Sequence, residues 1–244
     1  MILRVVLISI LIQFGWVSTT NAACSVDAIN RIVSRSLPRI KFESVRAAPI
    51  PGLCEAIIDT EVFYVSETGK YLMVGNLLEV KGGTNLTEKR RADIVKDIVY
   101  RLDEKQMINI EPARTKRTIT VFTDVDCPYC AKLHSEVPQL TKNGVKVRYL
   151  LYPRNGLRSP TYKKSVSVWC ARDRIKAITI AKAGGKLKEQ TCSNPVADHY
   201  RLGQRLKITG TPTLILDDGS RIGGYVPAPR LLTMLGLSGE TKTP

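Results

Sequence analysis

The first regular pattern after residue 22 is a recurrence of apolar residues at helical spacing. Ser25 is a suitable N-cap residue, and Pro38 ends the pattern. The apolar members of the stripe follow i, i+3, i+4 and i+8 spacing: Ile29, Ile32, Val33 and Leu37. The pattern predicts a short amphipathic helix at the start of the first folded unit.

From residue 53 onward the pattern changes to that of short strands. Residues 62–66 and 71–74 flank Glu67-Thr68-Gly69-Lys70, an arrangement typical of a hairpin. With the first helix, these strands form a unit of only about sixty residues, which buries a modest core. We therefore expect this unit to cover further apolar surface by self-association.

A third segment begins where Gly82-Gly83-Thr84 breaks the strand pattern. Asn85 and Glu88 resemble a capping box that opens a helix. One side of this helix is apolar and the rest is charged; the apolar positions are Ile94, Ile98 and Leu102, with Val95 and Val99 beside them. Periodicity leaves two interpretations open, a connector helix on a domain surface and an ordinary core helix.

Beyond Pro112 the pattern indicates a second domain with strands and helices. Residues 118–123 and 145–152 alternate as strands do, and residues 213–216 predict a third strand. The stretch between the second and third strands, roughly residues 161–207, is mostly helical in character.

The first residues have the features of a secretory signal peptide. Arg4 precedes an apolar run over residues 5–17, and small residues follow, so cleavage is expected after Ala22. An uncleaved membrane anchor is the alternative, although polar residues interrupt the run at Gln13, Ser18 and Thr19. Lipidation of Cys24 is a further alternative.

The net charge of +15 is unevenly distributed along the 244 residues. Residues 115–244 carry 22 basic and nine acidic side chains, whereas residues 23–86 are neutral overall. The basic residues are scattered, and the few aromatic residues do not alternate with them, which argues against nucleic-acid binding. The uneven distribution of charge instead predicts two domains. The basic surface of the second domain is either a generic solvated surface or one that attracts acidic partners.

A Cys-x-x-Cys motif carries the strongest chemical signal: Cys127-Pro128-Tyr129-Cys130. A strand precedes it and a helix follows, so the first sulfur lies at a helix N-terminus, where free amides and the helix dipole favour a thiolate. Pro128 suits the first turn, where its missing amide proton is not needed. We predict Cys127 as the nucleophile of disulfide exchange and Cys130 as the shielded resolving thiol.

Two neighbouring charges act on this nucleophile in opposite directions. Lys132 and the positive domain favour the thiolate, whereas Asp126 opposes it, and the sequence leaves the balance open.

Other interpretations of the motif are half of a zinc site and a structural disulfide. Zinc needs two more ligands, there is no second Cys-x-x-Cys, and His134 and His199 are the only histidines. We therefore predict neither a metal nor another cofactor.

The remaining four cysteines have structural spacing. Cys170 and Cys192 bracket the helical stretch, and closing such a loop stabilises a fold by about 3 kcal/mol in the chain-entropy model. We expect them to be structural. Cys24 and Cys54 are candidates for a further bridge, with a free Cys54 as the alternative.

Thr211-Pro212 precedes the third strand. A proline there indicates an edge, a bend or a cis bond, and proline statistics alone favour a simple turn. A cis-proline loop that faces Cys127 would present backbone groups to an extended substrate chain.

At these residues the chain resembles the DsbC/DsbG family of periplasmic disulfide isomerases. The matches cover nearly all of residues 111–230: ITVFTD at 119–124, the motif at 127–130, KLH at 132–134, VRYL at 147–150, PR at 153–154, GL at 156–157, WCA at 169–171, ADHY at 197–200 and GTP at 210–212. So many matches in the same order are far more specific than Cys-x-x-Cys alone.

The resemblance implies an α+β N-terminal dimerisation domain, a linker helix, and an α/β thioredoxin-like domain with a helical insertion. The corresponding boundaries are residues 1–22 for the signal peptide, 23–84 for the dimerisation domain, 85–110 for the linker and 111–244 for the catalytic domain. It implies a periplasmic homodimer that acts on misfolded exported proteins and is kept reduced by a membrane thiol reductant of the DsbD type.

The resemblance also assigns residue roles: Cys127 as nucleophile, Cys130 as resolving cysteine, and Cys170 with Cys192 as a structural disulfide. Pro212 would be cis, with Thr211 at the active site and Pro128 and Tyr129 supporting it. Pro128 departs from DsbC, which has glycine there, and agrees with DsbG. A reductase of sulfenylated cysteines is therefore an alternative function. A holdase chaperone that uses the cleft of the dimer is a second alternative.

Overall fold

A computed structural model describes residues 24–237, so the predicted signal peptide lies outside the described residues. The chain divides into two compact units. The first extends to Ala56 and includes Tyr64–Met73, and the second comprises Ile57–Phe63 with the chain from Val74 onward. No helix among residues 24–237 combines the length and the apolar character that a membrane span needs.

The first unit contains one helix and most of a small four-stranded sheet. The helix is α1 (Val26–Val33) and the strands are β1 (Ser44–Ala47), β2 (Leu53–Ile58), β3 (Glu61–Ser66) and β4 (Leu72–Met73), of which β2 and β3 belong to the first unit only in part. The sheet order is β1-β2-β3-β4. Tyr64 pairs with Met73 across β3 and β4, which confirms the predicted hairpin.

The first helix is shorter than the sequence predicts. It buries Ile29 and Val33 and ends there, so that Leu37 lies beyond it and is exposed. Ser25 occupies the N-cap position, but its side chain makes no capping hydrogen bond, and the expectation of a serine cap was wrong in that respect. Asn30 instead joins the helix to the following chain, through hydrogen bonds of 2.9 and 2.8 Å to the backbone of Phe42.

The second unit begins with a short ladder and the predicted charged helix. Its first elements are β5 (Leu78–Glu79), β6 (Thr84–Asn85) and α2 (Leu86–Tyr100). The Asn85 side chain accepts a hydrogen bond of 3.0 Å from the Glu88 amide, which confirms the predicted cap. The buried positions of α2 are Thr87, Val95 and Val99, and the two valines belong to the same core cluster as Phe122 of the sheet. The helix therefore rests on the sheet of the second unit with one narrow stripe.

A five-stranded sheet is the centre of the second unit. Its strands are β7 (Ile108–Ile110), β8 (Arg117–Thr123), β9 (Val145–Leu151), β10 (Thr213–Leu216) and β11 (Arg221–Gly223), in the order β11-β10-β8-β9-β7. β8 and β9 are parallel, and the other pairs are antiparallel. The three predicted strands are confirmed. The two edge strands were missed, because three residues are too few for alternation to be recognised.

Helices cover both faces of this sheet. They are α3 (Pro128–Lys142), α4 (Pro160–Cys170), α5 (Arg174–Lys182), α6 (Val196–Arg205) and α7 (Ala228–Met234). Ile119 and Val121 of β8 face one core cluster, and Phe122 faces the other. The central strand is thus held on both sides, and its carboxyl end places the next residues, 124–127, in a defined position.

Candidate active site

Cys127 occupies the N-cap position of α3. Its carbonyl oxygen accepts the first helical hydrogen bond, 3.0 Å from the Ala131 amide, and Pro128 follows at the first helical position. The remaining amides of the first turn have no helical acceptor and are directed toward the sulfur side of the helix end. The local sequence therefore positions the thiol at the positive end of the helix dipole.

A loop distant in sequence closes on this sulfur. The Thr211-Pro212 peptide bond is cis, and the Cys127 thiol donates a hydrogen bond of 3.2 Å to the Thr211 carbonyl oxygen. The hydroxyl oxygen of Thr211 is buried and has no hydrogen-bond partner among the described residues. That hydroxyl is therefore free to donate to Cys127 once the thiol has lost its proton.

The surroundings of Cys127 lower its pKa. Burial on its own raises the pKa, but the thiolate, once formed, can accept hydrogen bonds from the Thr211 hydroxyl and from the amide and thiol of Cys130, which act in the opposite direction. The positive charge of Arg154 adds to them, and the net result is a pKa below the ordinary thiol value. Cys127 is thus the thiol of the pair that ionises first.

Cys130 has the opposite character. It lies one helical turn later and is 1% exposed, and burial raises its pKa above the ordinary value. Neither Cys127 nor Cys130 is in a disulfide in this structure. One turn of helix therefore holds an easily ionised thiol next to a protected one, which is the arrangement that stepwise disulfide exchange needs.

The acidic residue directly before the nucleophile is neutralised locally. Asp126 accepts hydrogen bonds of 2.7 Å from the Lys164 ammonium group and 2.8 Å from the Thr161 hydroxyl. Burial alone would raise the pKa of this carboxyl, but these partners lower it. These partners compensate the negative charge of Asp126, which would otherwise oppose the thiolate of Cys127. The sequence left open whether the neighbouring charges favour this thiolate, and the compensation of Asp126 decides the question in its favour.

The cation that acts on Cys127 is not the one that the sequence suggested. The Lys132 ammonium group lies 4.8 Å from the ring centroid of Tyr225, whereas Arg154 is the residue whose charge lowers the pKa of Cys127. Arg154 is held by Asp124, which accepts from its backbone amide at 3.0 Å and from Nε at 3.1 Å. A guanidinium group from a loop between β9 and α4 could not be placed there by spacing alone.

Access to the nucleophile is narrow. Cys127 is only 2% exposed, and its open side faces a groove of about 310 Å³ lined by Pro128, Ala131, Lys164 and Lys182, among others. Tyr129 is 63% exposed at the rim of the helix end. The small exposed area restricts the directions from which a disulfide can approach this sulfur.

Lys182 is a residue that the sequence analysis missed. It ends α5, is 9% exposed, and directs Nζ to the Thr123 hydroxyl at 2.7 Å and the Asp124 carbonyl at 3.2 Å. The available signal was a lysine four residues after Ile178, on the buried side of the predicted helical stretch.

The other four cysteines form two disulfides. Cys170 is joined to Cys192 and Cys24 to Cys54, each across a segment of more than twenty residues. Cys54 is therefore not free, and the sulfur of Cys24 is not available for lipidation. Neither disulfide includes Cys127 or Cys130.

Both histidines are occupied within the second unit. His134 is hydrogen-bonded to the Tyr149 hydroxyl at 3.0 Å and to the Thr179 hydroxyl at 2.9 Å. His199 accepts from the Leu151 amide at 3.1 Å, and its other ring nitrogen is 2.8 Å from a backbone carbonyl. Burial lowers the pKa of each imidazole to about 4, so both are neutral near pH 7.

Both units match family models. A model described as a thioredoxin-like domain matches residues 104–238, and one described as a disulfide bond isomerase protein N-terminal domain matches residues 20–88. A solved disulfide interchange protein from Neisseria gonorrhoeae is similar in structure, with a TM-score of 0.50 and 33% sequence identity. The similarity covers 55% of this chain and 96% of that one.

Curated relatives extend the similarity over most of the chain. The thiol:disulfide interchange protein DsbC of Dickeya dadantii is 36% identical over 238 residues, which are 95% of this chain and 94% of the relative. DsbC of Escherichia coli K12 is 35% identical over 190 residues, covering 77% and 78% of the two chains, and DsbC of Haemophilus influenzae is 34% identical, covering 88% and 93%. Together with the thiol pair at the start of α3, this similarity shows that the chain belongs to the DsbC family of thiol:disulfide interchange proteins.

Proposed function

We propose that this protein is a thiol:disulfide isomerase and reductase of exported proteins, with Cys127 as nucleophile and Cys130 as resolving cysteine. The observation that carries the proposal is the free Cys127 thiol at the start of α3, with its lowered pKa, one turn from a buried free thiol. Attack requires a thiolate, and Cys127, whose pKa is lowered, is the thiol of the pair that ionises more readily.

The reaction has a common first step and two possible endings. The Cys127 thiolate attacks one sulfur of a substrate disulfide, and the other substrate sulfur leaves with the electron pair. When a substrate thiolate then attacks the mixed disulfide, the substrate is isomerised and Cys127 is released without net electron transfer. When Cys130 attacks instead, the substrate is reduced by two electrons and the Cys127–Cys130 disulfide forms.

The groove favours misfolded substrates. Because Cys127 is 2% exposed, a substrate has to present its disulfide on a segment that can enter beside Pro128 and Tyr129. The Thr211 loop lies on the same sulfur and offers backbone groups to an extended chain. Native disulfides in folded proteins are poorly presented in this way, so the site discriminates by local unfolding.

Family membership supports the cellular setting that completes this proposal. The protein acts in the periplasm after removal of residues 1–22, as a homodimer formed through residues 23–84. Residues 85–110 connect that domain to the catalytic domain of residues 111–244. A membrane thiol reductant of the DsbD type returns Cys127 and Cys130 to the dithiol form after each reduction.

Refolding of a scrambled protein with several disulfides tests this function. We expect the wild-type protein to accelerate recovery of the native disulfides, and Cys127→Ser to abolish the acceleration. Cys130→Ser should retain isomerisation by the substrate-thiol route but accumulate mixed disulfides. Fast oxidation of reduced substrates without acceleration of scrambled ones would identify an oxidase and reject the proposal.

A further inference from the structure

Lys182 is a buried amine next to the active-site thiols. It closes α5 beside the apolar residues Ala177, Ile178 and Ala181, and only 9% of it is exposed. An ammonium group in such surroundings is costly to desolvate unless it is paired. The salt bridges of the nearby carboxylates are made to other cations, Asp124 to Arg154 and Asp126 to Lys164. These two carboxylates act on Lys182 through their charge alone.

The contacts of Lys182 lead to the end of β8. Nζ lies 2.7 Å from Thr123 Oγ1 and 3.2 Å from the Asp124 carbonyl oxygen. Burial raises the pKa of the Cys130 thiol, and the charge of Lys182 acts against it. Hydrogen bonds to the Cys130 sulfur from the Thr123 hydroxyl and from the Asp124 backbone lower this pKa as well. Thr123 therefore joins the amine of Lys182 to the sulfur of Cys130.

The two ends of this connection are matched as acid and base. Burial lowers the pKa of the Lys182 ammonium group, which increases the fraction present as the free amine that can accept a proton. Burial raises the pKa of the Cys130 thiol, so this thiol loses its proton less readily unless a base is close by. The other titratable and charged groups around Lys182 are Cys127, His134, Asp124, Asp126, Tyr149 and Lys164.

We propose that Lys182, acting through the Thr123 hydroxyl, accepts the proton of Cys130 when Cys130 resolves the mixed disulfide. The inference rests on the exchange reaction proposed above for Cys127. The Cys130 S–H proton passes to Thr123 Oγ1 while the hydroxyl proton of Thr123 passes to Nζ of Lys182. The Cys130 sulfur then bonds to that of Cys127, and the substrate sulfur leaves as a thiolate with the electron pair.

This assignment separates the two endings of the reaction. Attack by Cys127 does not require the proton of Cys130 to move, nor does release by a substrate thiol. Only the reductive ending draws on Lys182. The amine of Lys182 thereby sets the rate at which Cys130 resolves a mixed disulfide that no substrate thiol has released.

Single-turnover exchange with a fluorescent disulfide-bonded peptide tests the assignment. The reduced full-length mature protein is mixed with the peptide and quenched with acid, and the mixed disulfide is quantified by mass spectrometry over a range of pH. For Lys182→Met we expect any change in the formation of the mixed disulfide to be smaller than the change in its decay, since formation does not move the proton of Cys130. Its decay should slow about tenfold or more at pH 7, and the decay profile should shift to higher pH, toward ionisation of Cys130 by solvent base alone.

Three further variants separate proton transfer from charge and packing. Thr123→Val should slow decay like Lys182→Met, and Thr123→Ser, which keeps the hydroxyl, should restore it. Lys182→Arg keeps a positive charge that accepts no proton and should remain slow. Lys176→Met removes an exposed lysine from the same helix and should behave as wild type.

The outcomes are distinct. Decay of Lys182→Met with the wild-type rate and pH profile, or full activity of Lys182→Arg, would overturn the role of Lys182. If Lys182→Met does not fold, the comparison of Thr123→Val with Thr123→Ser decides alone, and equal decay in those two variants overturns the relay. Failure of wild type to form any mixed disulfide rejects the proposed exchange itself, which is a different result.

Discussion

The thiol of Cys127 donates a hydrogen bond of 3.2 Å to the carbonyl oxygen of Thr211, a residue 84 positions later in the chain. The same residue holds a buried hydroxyl without a partner beside the sulfur. The protonated thiol and the thiolate thus each have a suitable group on Thr211, the carbonyl as acceptor and the hydroxyl as donor. Through this residue the loop affects both the reactivity of the nucleophile and its access to substrate.

Removal of the Thr211 hydroxyl should raise the pKa of Cys127. Thr211→Val takes away a donor to the thiolate, so a smaller fraction of the thiol is ionised at pH 6 and alkylation there should slow several-fold. The pH dependence of iodoacetamide alkylation measures the pKa directly. Thr211→Ser, which keeps the hydroxyl, is the matched control. A Thr211→Val profile that coincides with that of wild type would show that the hydroxyl does not stabilise the thiolate.

The Asp124 carboxylate should stabilise the active-site loop. Its side chain is 2% exposed and accepts from the Asp126 amide at 2.8 Å and twice from Arg154. Asp124→Asn replaces one accepting oxygen by an NH2 group, which then faces the N–H donors of Asp126 or Arg154. The free energy of unfolding, measured with urea, should therefore fall by about 1–3 kcal/mol. Asp217→Asn breaks a half-exposed pair with Arg117 and should cost less than about 1 kcal/mol. Equal losses in the two variants would contradict this account.

Stability should depend on pH through His199. Burial lowers its folded-state pKa from 6.5 to about 4, so between these values the unfolded chain binds a proton that the folded chain does not. The free energy of unfolding is therefore not reduced by this group above pH 6.5. As the pH falls toward 4, protonation of His199 in the unfolded chain lowers the free energy of unfolding by about 2–3 kcal/mol. Urea unfolding from pH 7 to pH 4 measures it.

His199→Gln should flatten this dependence, because the variant has no imidazole to protonate in the unfolded state. It should also be less stable at pH 7, since the hydrogen bond from the Leu151 amide is disturbed. An unchanged slope between pH 6.5 and 4 would assign the acid sensitivity to other groups, His134 first among them.

The disulfide between Cys170 and Cys192 should stabilise the second unit without affecting exchange. Closing a segment of this length lowers the entropy of the unfolded chain, so the paired substitution Cys170→Ser with Cys192→Ser should reduce the free energy of unfolding by about 3 kcal/mol. Urea unfolding without reductant measures the loss. Alkylation of Cys127 should keep its rate in the folded variant, and a changed rate would show that this bridge positions the thiol.

Much of the second unit was predictable because its signals are local. Alternation over residues 118–123 predicted β8, and a Cys-x-x-Cys motif after a strand placed Cys127 at a helix N-terminus. The cap at Asn85 was recognised for the same reason, since donor and acceptor lie three residues apart. Where an element is too short to carry a pattern, as in β7 and β11, local reasoning failed.

The sequence by itself determined which sulfur reacts and which is protected, because one helical turn and its dipole are properties of neighbouring residues. Only the tertiary structure decided how reactive that sulfur is and where a proton can go. Thr211, Arg154 and Lys182 lie on a loop, a second loop and a distant helix that meet at Cys127 and Cys130. Their effects depend on distance and burial in space, which spacing along the chain does not encode.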